Sequence, residues 1–259
     1  MAVLSEQAKS VWAKTGGPTQ WLPLTQHLAD SLWVAAYLYD HWVAQSLKDR
    51  WATLGIDDAQ LRAITLFLAG THDVGKAAPA FVAQSGALAR RAIDVGLPCH
   101  TIDELREDRK ALPHSLISEH SLGVWLQDRG VERATALALA SVSGAHHGTP
   151  VAKGGLRNAK HRRNGTGGEP WAQVRKELID WISDLSGFDG VLASGTPLQL
   201  PLPILVELTG LVIVADWLAS NTSLFPLRER DEDGAPARNM EERAIEAWAE
   251  AAMPPPWEP

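Results

Sequence analysis

Five histidines and two aspartates of this chain fall where an apolar helix is expected to begin, end or carry a charge inward. The sharpest word is Thr71-His72-Asp73-Val74-Gly75-Lys76. Neighbouring side chains on a helix diverge by about 100°, so His72 and Asp73 cannot point the same way inside one. At the end of an apolar helix they can enter one cleft from different directions. An imidazole beside a carboxylate suits a divalent transition metal. Gly75 lets the backbone approach closely. Lys76, one turn from Asp73, brings a positive charge that suits a phosphate. Taken alone, the doublet is equally explained by a histidine packed against its own carboxylate.

The remaining candidates are His27, His114, the adjacent pair His146 and His147, and Asp216. His27 follows Pro23-Leu24-Thr25-Gln26 at the start of a long apolar helix, where a satisfied core histidine is the plainer reading. His114 follows Leu112-Pro113, and by itself its role stays open. His146 and His147 follow Ser143-Gly144-Ala145 at a helix end, and two adjacent imidazoles favour a metal. Asp216 sits within Leu211-Val212-Ile213-Val214-Ala215-Asp216-Trp217-Leu218. A buried carboxylate without a partner costs several kcal/mol, so Asp216 must be solvated, hydrogen-bonded, salt-bridged or metal-bound. His41, His100, His120 and His161 read as structural or surface histidines. His120, six positions after His114, would face about 120° away on a shared helix.

The elements that must position these groups are helical. Apolar residues recur at three and four from Leu24 to Leu47, with Leu28, Leu32, Ala35 and Tyr39 on one face. Further helices are expected over Leu61–Ala69, after Pro113, over Val131–Ala145, Glu169–Leu185, Pro203–Ser220 and Arg238–Ala252. No run of alternating β-branched residues and no Asn-Gly hairpin turn stands out, so the fold class is all-α. Connections fall in the Gly- and Pro-rich stretches Gly16–Pro18, Gly154–Gly168 and Gly187–Pro203. The tail Met253-Pro254-Pro255-Pro256-Trp257-Glu258-Pro259 reads as a stiff linker.

Composition bounds the rest. The 259 residues, 45% hydrophobic and 21% charged, can bury a substantial core. A single cysteine, Cys99, excludes an internal disulfide and a CxxC zinc framework, and fits a reducing cytoplasm. The first residues lack a secretory apolar core. Leu198–Ala219 is interrupted by Pro201, Pro203, Glu207 and Asp216, so it is expected to be a buried soluble helix and no membrane partner is implied. The net charge of −7 advertises no broad nucleic-acid surface, so any basic groups must be local. Lys153, Arg157, Lys160, Arg162 and Arg163 supply them in a stretch without acidic residues. They read either as a solvated surface loop or as an arm that gathers phosphates. Eleven tryptophans could stack on bases, but core packing is the expectation for most.

In order, these groups run H…HD…H…HH…D, a pattern that resembles the HD-domain metal-dependent phosphohydrolases. The flanking words narrow it: Pro79-Ala80-Phe81 after the doublet, Leu112-Pro113-His114-Ser115, Gly144-Ala145-His146-His147-Gly148 and Ala215-Asp216-Trp217-Leu218-Ala219-Ser220-Asn221. Together with Ser10-Val11-Trp12-Ala13-Lys14 and Trp21-Leu22-Pro23-Leu24, they are similar to the HD nuclease of the type I CRISPR helicase–nuclease. The likeness runs from Ser10 to Trp257.

The resemblance implies an HD-domain helical bundle over residues 1–252, with 253–259 leading toward a helicase. It implies one divalent ion on His27, His72, Asp73 and Asp216, and a second on Asp73, His114, His146 and His147. Asp73 would bridge them and Lys76 would face the scissile phosphate. Two ions about 3.5–4 Å apart can activate water for in-line attack on a phosphodiester. Imidazole-rich ligation favours manganese, iron, cobalt or nickel, with zinc possible, over magnesium. The implied substrate is single-stranded DNA, and the implied partners are a helicase and the RNA-guided CRISPR surveillance complex. No GxxxxGK[ST] phosphate loop occurs, so ATP-driven unwinding is not assigned to these residues. Two alternatives remain open: an HD phosphohydrolase closing over a small nucleotide, and an inert HD domain that binds a partner. The intact ligand set disfavours the second.

Overall fold

The computed structural model describes residues 3–152, 154–155, 159 and 161–256. Lys153, Arg157, Lys160 and the last three residues of the tail lie outside the described residues. The element order is α1 (Glu6–Ser10), β1 (Trp12–Thr15), β2 (Gln20–Pro23), α2 (Leu24–Tyr37), α3 (Gln45–Thr53), α4 (Asp58–Thr71), α5 (Pro79–Val82), α6 (Gly86–Asp94), α7 (Arg106–Ala111), α8 (His114–Asp128), α9 (Arg133–Gly144), α10 (Arg163–Thr166), α11 (Gly168–Ser186), α12 (Phe188–Ala193), α13 (Leu202–Ala219), β3 (Arg228–Glu229) and α14 (Met240–Ala251).

The fold is the expected helical bundle. α2 packs against α4, α13 and α14, and α4 is further enclosed by α11 and α12. α8 and α9, joined by a short turn, pack along each other. α4 shows how the sequence sets the limits of these helices. The Asp57 carboxylate caps its start by accepting the Gln60 N–H at 2.9 Å. At its end the Thr71 hydroxyl turns back to the Phe67 carbonyl at 2.7 Å. Asp73 then adopts φ −105° and ψ 9°, in the bridge region, and leads the chain into a 3₁₀ turn over Val74–Lys76.

Three features depart from the sequence reading. First, the helix expected over Leu24–Leu47 is broken. It widens into a π-turn over Leu38–Trp42, and Val43 is extended at φ −69° and ψ 122°. The turn buries Tyr39 beside Trp51, with its hydroxyl donating to the Asp58 carboxylate at 2.8 Å. Second, a small antiparallel sheet of order β1-β2-β3 accompanies the helices. Its strands are four residues or fewer, and β1 carries a register shift between Trp12 and Lys14. Of the residues in β1 and β2 only Thr15 is β-branched, so the period-two signal was too weak to read. Third, α13 buries one face, through Ile204, Leu205, Leu208, Leu211, Val212 and Ala215. Leu202, Val206 and Trp217 on its other side are exposed.

Most tryptophans serve the core: Trp12, Trp21, Trp51, Trp125, Trp171 and Trp181 are buried. α12, which falls in a stretch expected to be only a connection, contributes Phe188. Its ring stacks on Phe67 with centroids 4.1 Å apart, and Trp125 adjoins Phe67 at 5.4 Å. Truncating Phe67 to alanine should therefore cost about 3–5 kcal/mol in chemical denaturation. A loss below about 1 kcal/mol would show that this stack is not part of the cooperative core.

Candidate metal centre

Five helix ends meet at one place. His27 stands in the first turn of α2, His72 and Asp73 follow α4, and His114 opens α8. His146 and His147 follow α9, and Asp216 lies in the last turn of α13. The structure brings all seven predicted ligands together. They fall into two groups, His27, His72, Asp73 and Asp216 in one, and His114, His146 and His147 in the other. Within each group the candidate ligand atoms lie within 4.8 Å of one another.

Asp73 stands between the groups, and its two oxygens face different ways. Oδ2 lies 2.8 Å from His27 Nε2 and 3.3 Å from His72 Nε2. Oδ1 lies 3.2 Å from His114 Nε2 and 3.5 Å from His146 Nε2. Asp216 Oδ1 completes the first group, 3.3 Å from His72 Nε2 and 3.5 Å from His27 Nε2. In the second, His114 Nε2 lies 2.9 Å from His147 Nε2 and 3.4 Å from His146 Nε2. These spacings fit a metal. Ligand atoms about 2.1 Å from one ion lie roughly 3.0–3.4 Å apart in octahedral or tetrahedral arrangement.

Outer contacts aim the rings. His72 Nδ1 lies 2.7 Å from the Ala69 carbonyl and His146 Nδ1 lies 2.5 Å from the Ser143 carbonyl. Each carbonyl can only accept, so Nδ1 carries a proton and Nε2 is the atom turned toward the centre. Two buried atoms at the centre, His72 Nε2 and Asp73 Oδ1, have no hydrogen-bond partner among the described residues. Orphaned groups of this kind in a buried site call for an ion. The donor set, imidazole with carboxylate, fits a divalent transition metal.

The loop after Asp73 is held just as firmly. The Gly75 N–H donates to Ser118 Oγ at 2.8 Å. A Cβ at Gly75 would collide with the His114 carbonyl and the Ser118 nitrogen, so its close backbone approach is to α8. Arg175, buried on α11, donates to the Ala77 carbonyl at 2.7 Å and to the Thr166 carbonyl at 3.0 Å. Sequence reasoning missed Ser118, Arg175 and Ser220. Each acts through a backbone atom or a ligand carboxylate, and no local spacing announces such contacts.

Lys76 Nζ lies 2.5 Å from Asp73 Oδ2 and is nearly buried. Arg162 is engaged with Asp108 at 2.7 Å, and Arg163 opens the short α10. His41 packs on Tyr37, and His100 lies 3.9 Å from Glu104. Neither these two nor His120 and His161 join either group of ligands among the described residues.

Charge couples the site. Burial disfavours a charged His72, but Asp73 and Asp216 more than reverse this and hold its pKa up to about 10. Burial alone would raise the pKa of Asp73, yet Lys76, His72 and His114 drive it well below the usual carboxylate range. Asp216 is likewise lowered, against burial, chiefly by the charge on His72. His146 is pushed down to about 3 by burial and then by the charge on His72, so it is neutral at pH 7. His147 is lowered by burial and His114.

A helical bundle that gathers imidazoles and carboxylates at converging helix ends has the architecture of an HD-type metal domain. Residues 12–225 match the family model described as Cas3, HD domain, and the chain belongs to this family. It is 27% identical over 266 residues, or 92% of its length, to the CRISPR-associated nuclease/helicase Cas3 of Streptococcus thermophilus. It is 30% identical over 224 residues, or 86% of its length, to the CRISPR-associated endonuclease/helicase Cas3 of Thermus thermophilus. The chain spans only 27% and 23% of the length of these two relatives. The Thermus thermophilus Cas3 HD domain, crystallised in the presence of Ni²⁺, superposes with a TM-score of 0.65 at 26% identity. That match covers 96% of this chain and 93% of the other.

The charge pattern makes metal uptake pH-dependent. In the metal-free protein His72 keeps its proton up to about pH 10, and an ion must displace it. Affinity for manganese should therefore rise with pH, about tenfold per unit for each proton displaced. Calorimetric titration between pH 6 and 8, in buffers of different ionisation heat, should find about one proton released by His72. Affinity independent of pH would contradict this electrostatic account.

Proposed function

We propose that this domain is a metal-dependent nuclease that hydrolyses phosphodiester bonds of single-stranded DNA, with two divalent transition ions sharing Asp73. The observation that carries the reading is the division of the Asp73 carboxylate, Oδ2 toward His27 and His72 and Oδ1 toward His114 and His146. His27, His72, Asp73 and Asp216 would hold one ion, and Asp73, His114, His146 and His147 the other. A bound pair supplies Lewis acidity, which activates water and offsets charge on the phosphate.

The protein's own groups do the positioning. The Ala69 and Ser143 carbonyls keep His72 and His146 in the ligating tautomer. Lys76, which pairs with Asp73, would meet a non-bridging phosphate oxygen. Burial is graded across the centre. The His27, His72, Asp73 and Asp216 group is buried throughout, whereas His114 is half-buried and His147 exposed. The strand is thus received from the His147 side. An exposed edge supports an extended polymer over a small nucleotide enclosed on all sides. The names of the two relatives support action beside a helicase in CRISPR defence; an RNA-guided surveillance complex that selects the DNA is part of the same proposal.

The test is a chelator-controlled assay with manganese, cobalt or nickel on matched single-stranded DNA, duplex DNA and deoxynucleoside triphosphates. Single strands should be cut, and intact duplex left largely untouched, because its stacked backbone cannot bend into a cleft between helices. The His72→Ala, Asp73→Ala double variant should be inactive. Fast hydrolysis of free nucleotides without DNA cleavage would overturn the nuclease reading.

A further inference from the structure

The N-terminal hairpin brings a second lysine to the centre. Trp12 of β1 packs on Phe81 with centroids 4.4 Å apart and donates its indole N–H to the Val82 carbonyl at 3.2 Å. Phe81 in turn adjoins the His114 ring at 5.8 Å and lies beneath the Lys76 ammonium at 5.5 Å. The hairpin therefore rests on the wall of the metal site. From it Lys14 reaches the end of α13, where its ammonium donates to the Ser220 carbonyl at 2.9 Å. The Ser220 hydroxyl donates to Asp216 Oδ1 at 2.8 Å. Lys14 is thus two hydrogen bonds from a candidate ligand.

What sets Lys14 apart is that, among the described residues, no carboxylate pairs with its ammonium. Lys76 is paired with Asp73 and Arg162 with Asp108. Lys14 is half-buried, and its hydrogen bond to the neutral Ser220 carbonyl uses one of its three N–H donors. Withdrawing an ammonium from water without a counter-charge is unfavourable. Its surroundings express this: burial first, and the positive Lys76 second, lower its pKa, while Asp216 and Asp73 act against them. The ammonium lies in the field of the centre, with donor capacity left for an anion.

We propose that Lys14 is a substrate-binding residue whose ammonium takes a non-bridging oxygen of the DNA phosphate next to the scissile one, on the Asp216 side. This rests on the nuclease reading above. Lys76, at Asp73 between the two ligand groups, serves the scissile phosphate. Lys14, held beyond Asp216 at Ser220, reaches the following phosphate of the same strand. An ammonium suits this task as a compact charge with several donors. A lysine here also selects for a polymer, since a substrate with one phosphate has nothing to offer it.

The experiment compares the wild-type chain with Lys14→Met, which keeps the stem, and Lys14→Arg, which keeps the charge. Each is loaded with manganese. The substrates are a single-stranded oligothymidylate and bis(p-nitrophenyl) phosphate, a diester with no flanking phosphate. Lys14→Met should raise KM for the oligonucleotide about tenfold with little change in kcat, the loss expected for one charge-assisted hydrogen bond. Its salt dependence should weaken by about 0.7 in the log–log slope, one phosphate contact on a single strand. Hydrolysis of the small diester and manganese content should stay at wild-type levels, and Lys14→Arg should restore KM. Unchanged KM for DNA, or equal loss on both substrates with loss of metal, would overturn the proposal; the second pattern would make Lys14 a support for Asp216. Failure of the wild-type chain to cleave DNA at all would overturn the nuclease reading and this inference with it, a result seen before any variant is compared.

Discussion

Asp73 is a carboxylate with almost no access to water, placed where five helices approach one another. Left unpaired in such a position, a carboxylate costs several kcal/mol, and breaking a buried pair costs more than replacing it outright. Every neighbour of Asp73 answers this constraint. Lys76 pairs with Oδ2, His27 and His72 crowd the same oxygen, and His114 and His146 face Oδ1. A buried carboxylate has two oxygens to satisfy, and here they point into two separate groups of imidazoles. The division into two ligand sets is therefore a property of one side chain and the helix ends that surround it.

The bundle exists around those ends. The turn after α4 brings His72 and Asp73 into the cleft, and Ser118 and Arg175 grip the loop that follows. Gly75 has no Cβ because the first turn of α8, which carries His114, occupies that space. That contact holds the loop after Asp73 against the helix that carries His114. Glycine recurs where α8 meets the end of α9, since a Cβ at Gly144 would collide with the Glu119 side chain. Burial raises the carboxyl of Glu119 to about 7.

The candidate ligands were legible in the sequence because each interrupts an apolar element, and a polar group there demands a reason. The doublet at His72 and Asp73, the pair at His146 and His147, and Asp216 in the most apolar helix were all visible in this way. The long periodic helices were visible too. Three things were not. The hairpin of β1 and β2 is too short and too poor in β-branched residues to show a strand pattern. The break after Tyr37 follows from tertiary burial of Tyr39 against Trp51 and Asp58, which local periodicity does not encode. Lys14 and Ser220 are more than two hundred positions apart, and only the fold shows that they meet beside Asp216.

The sharing of Asp73 is the claim on which the rest stands, and metal stoichiometry tests it most directly. Manganese titration of the wild-type chain, read by bound-metal analysis and electron paramagnetic resonance, should give two ions per chain with the spectrum of a coupled pair. In Asp73→Ala both ions, or most of their occupancy, should be lost, because one carboxylate serves both groups. Two fully occupied ions in the folded Asp73→Ala variant would contradict the account.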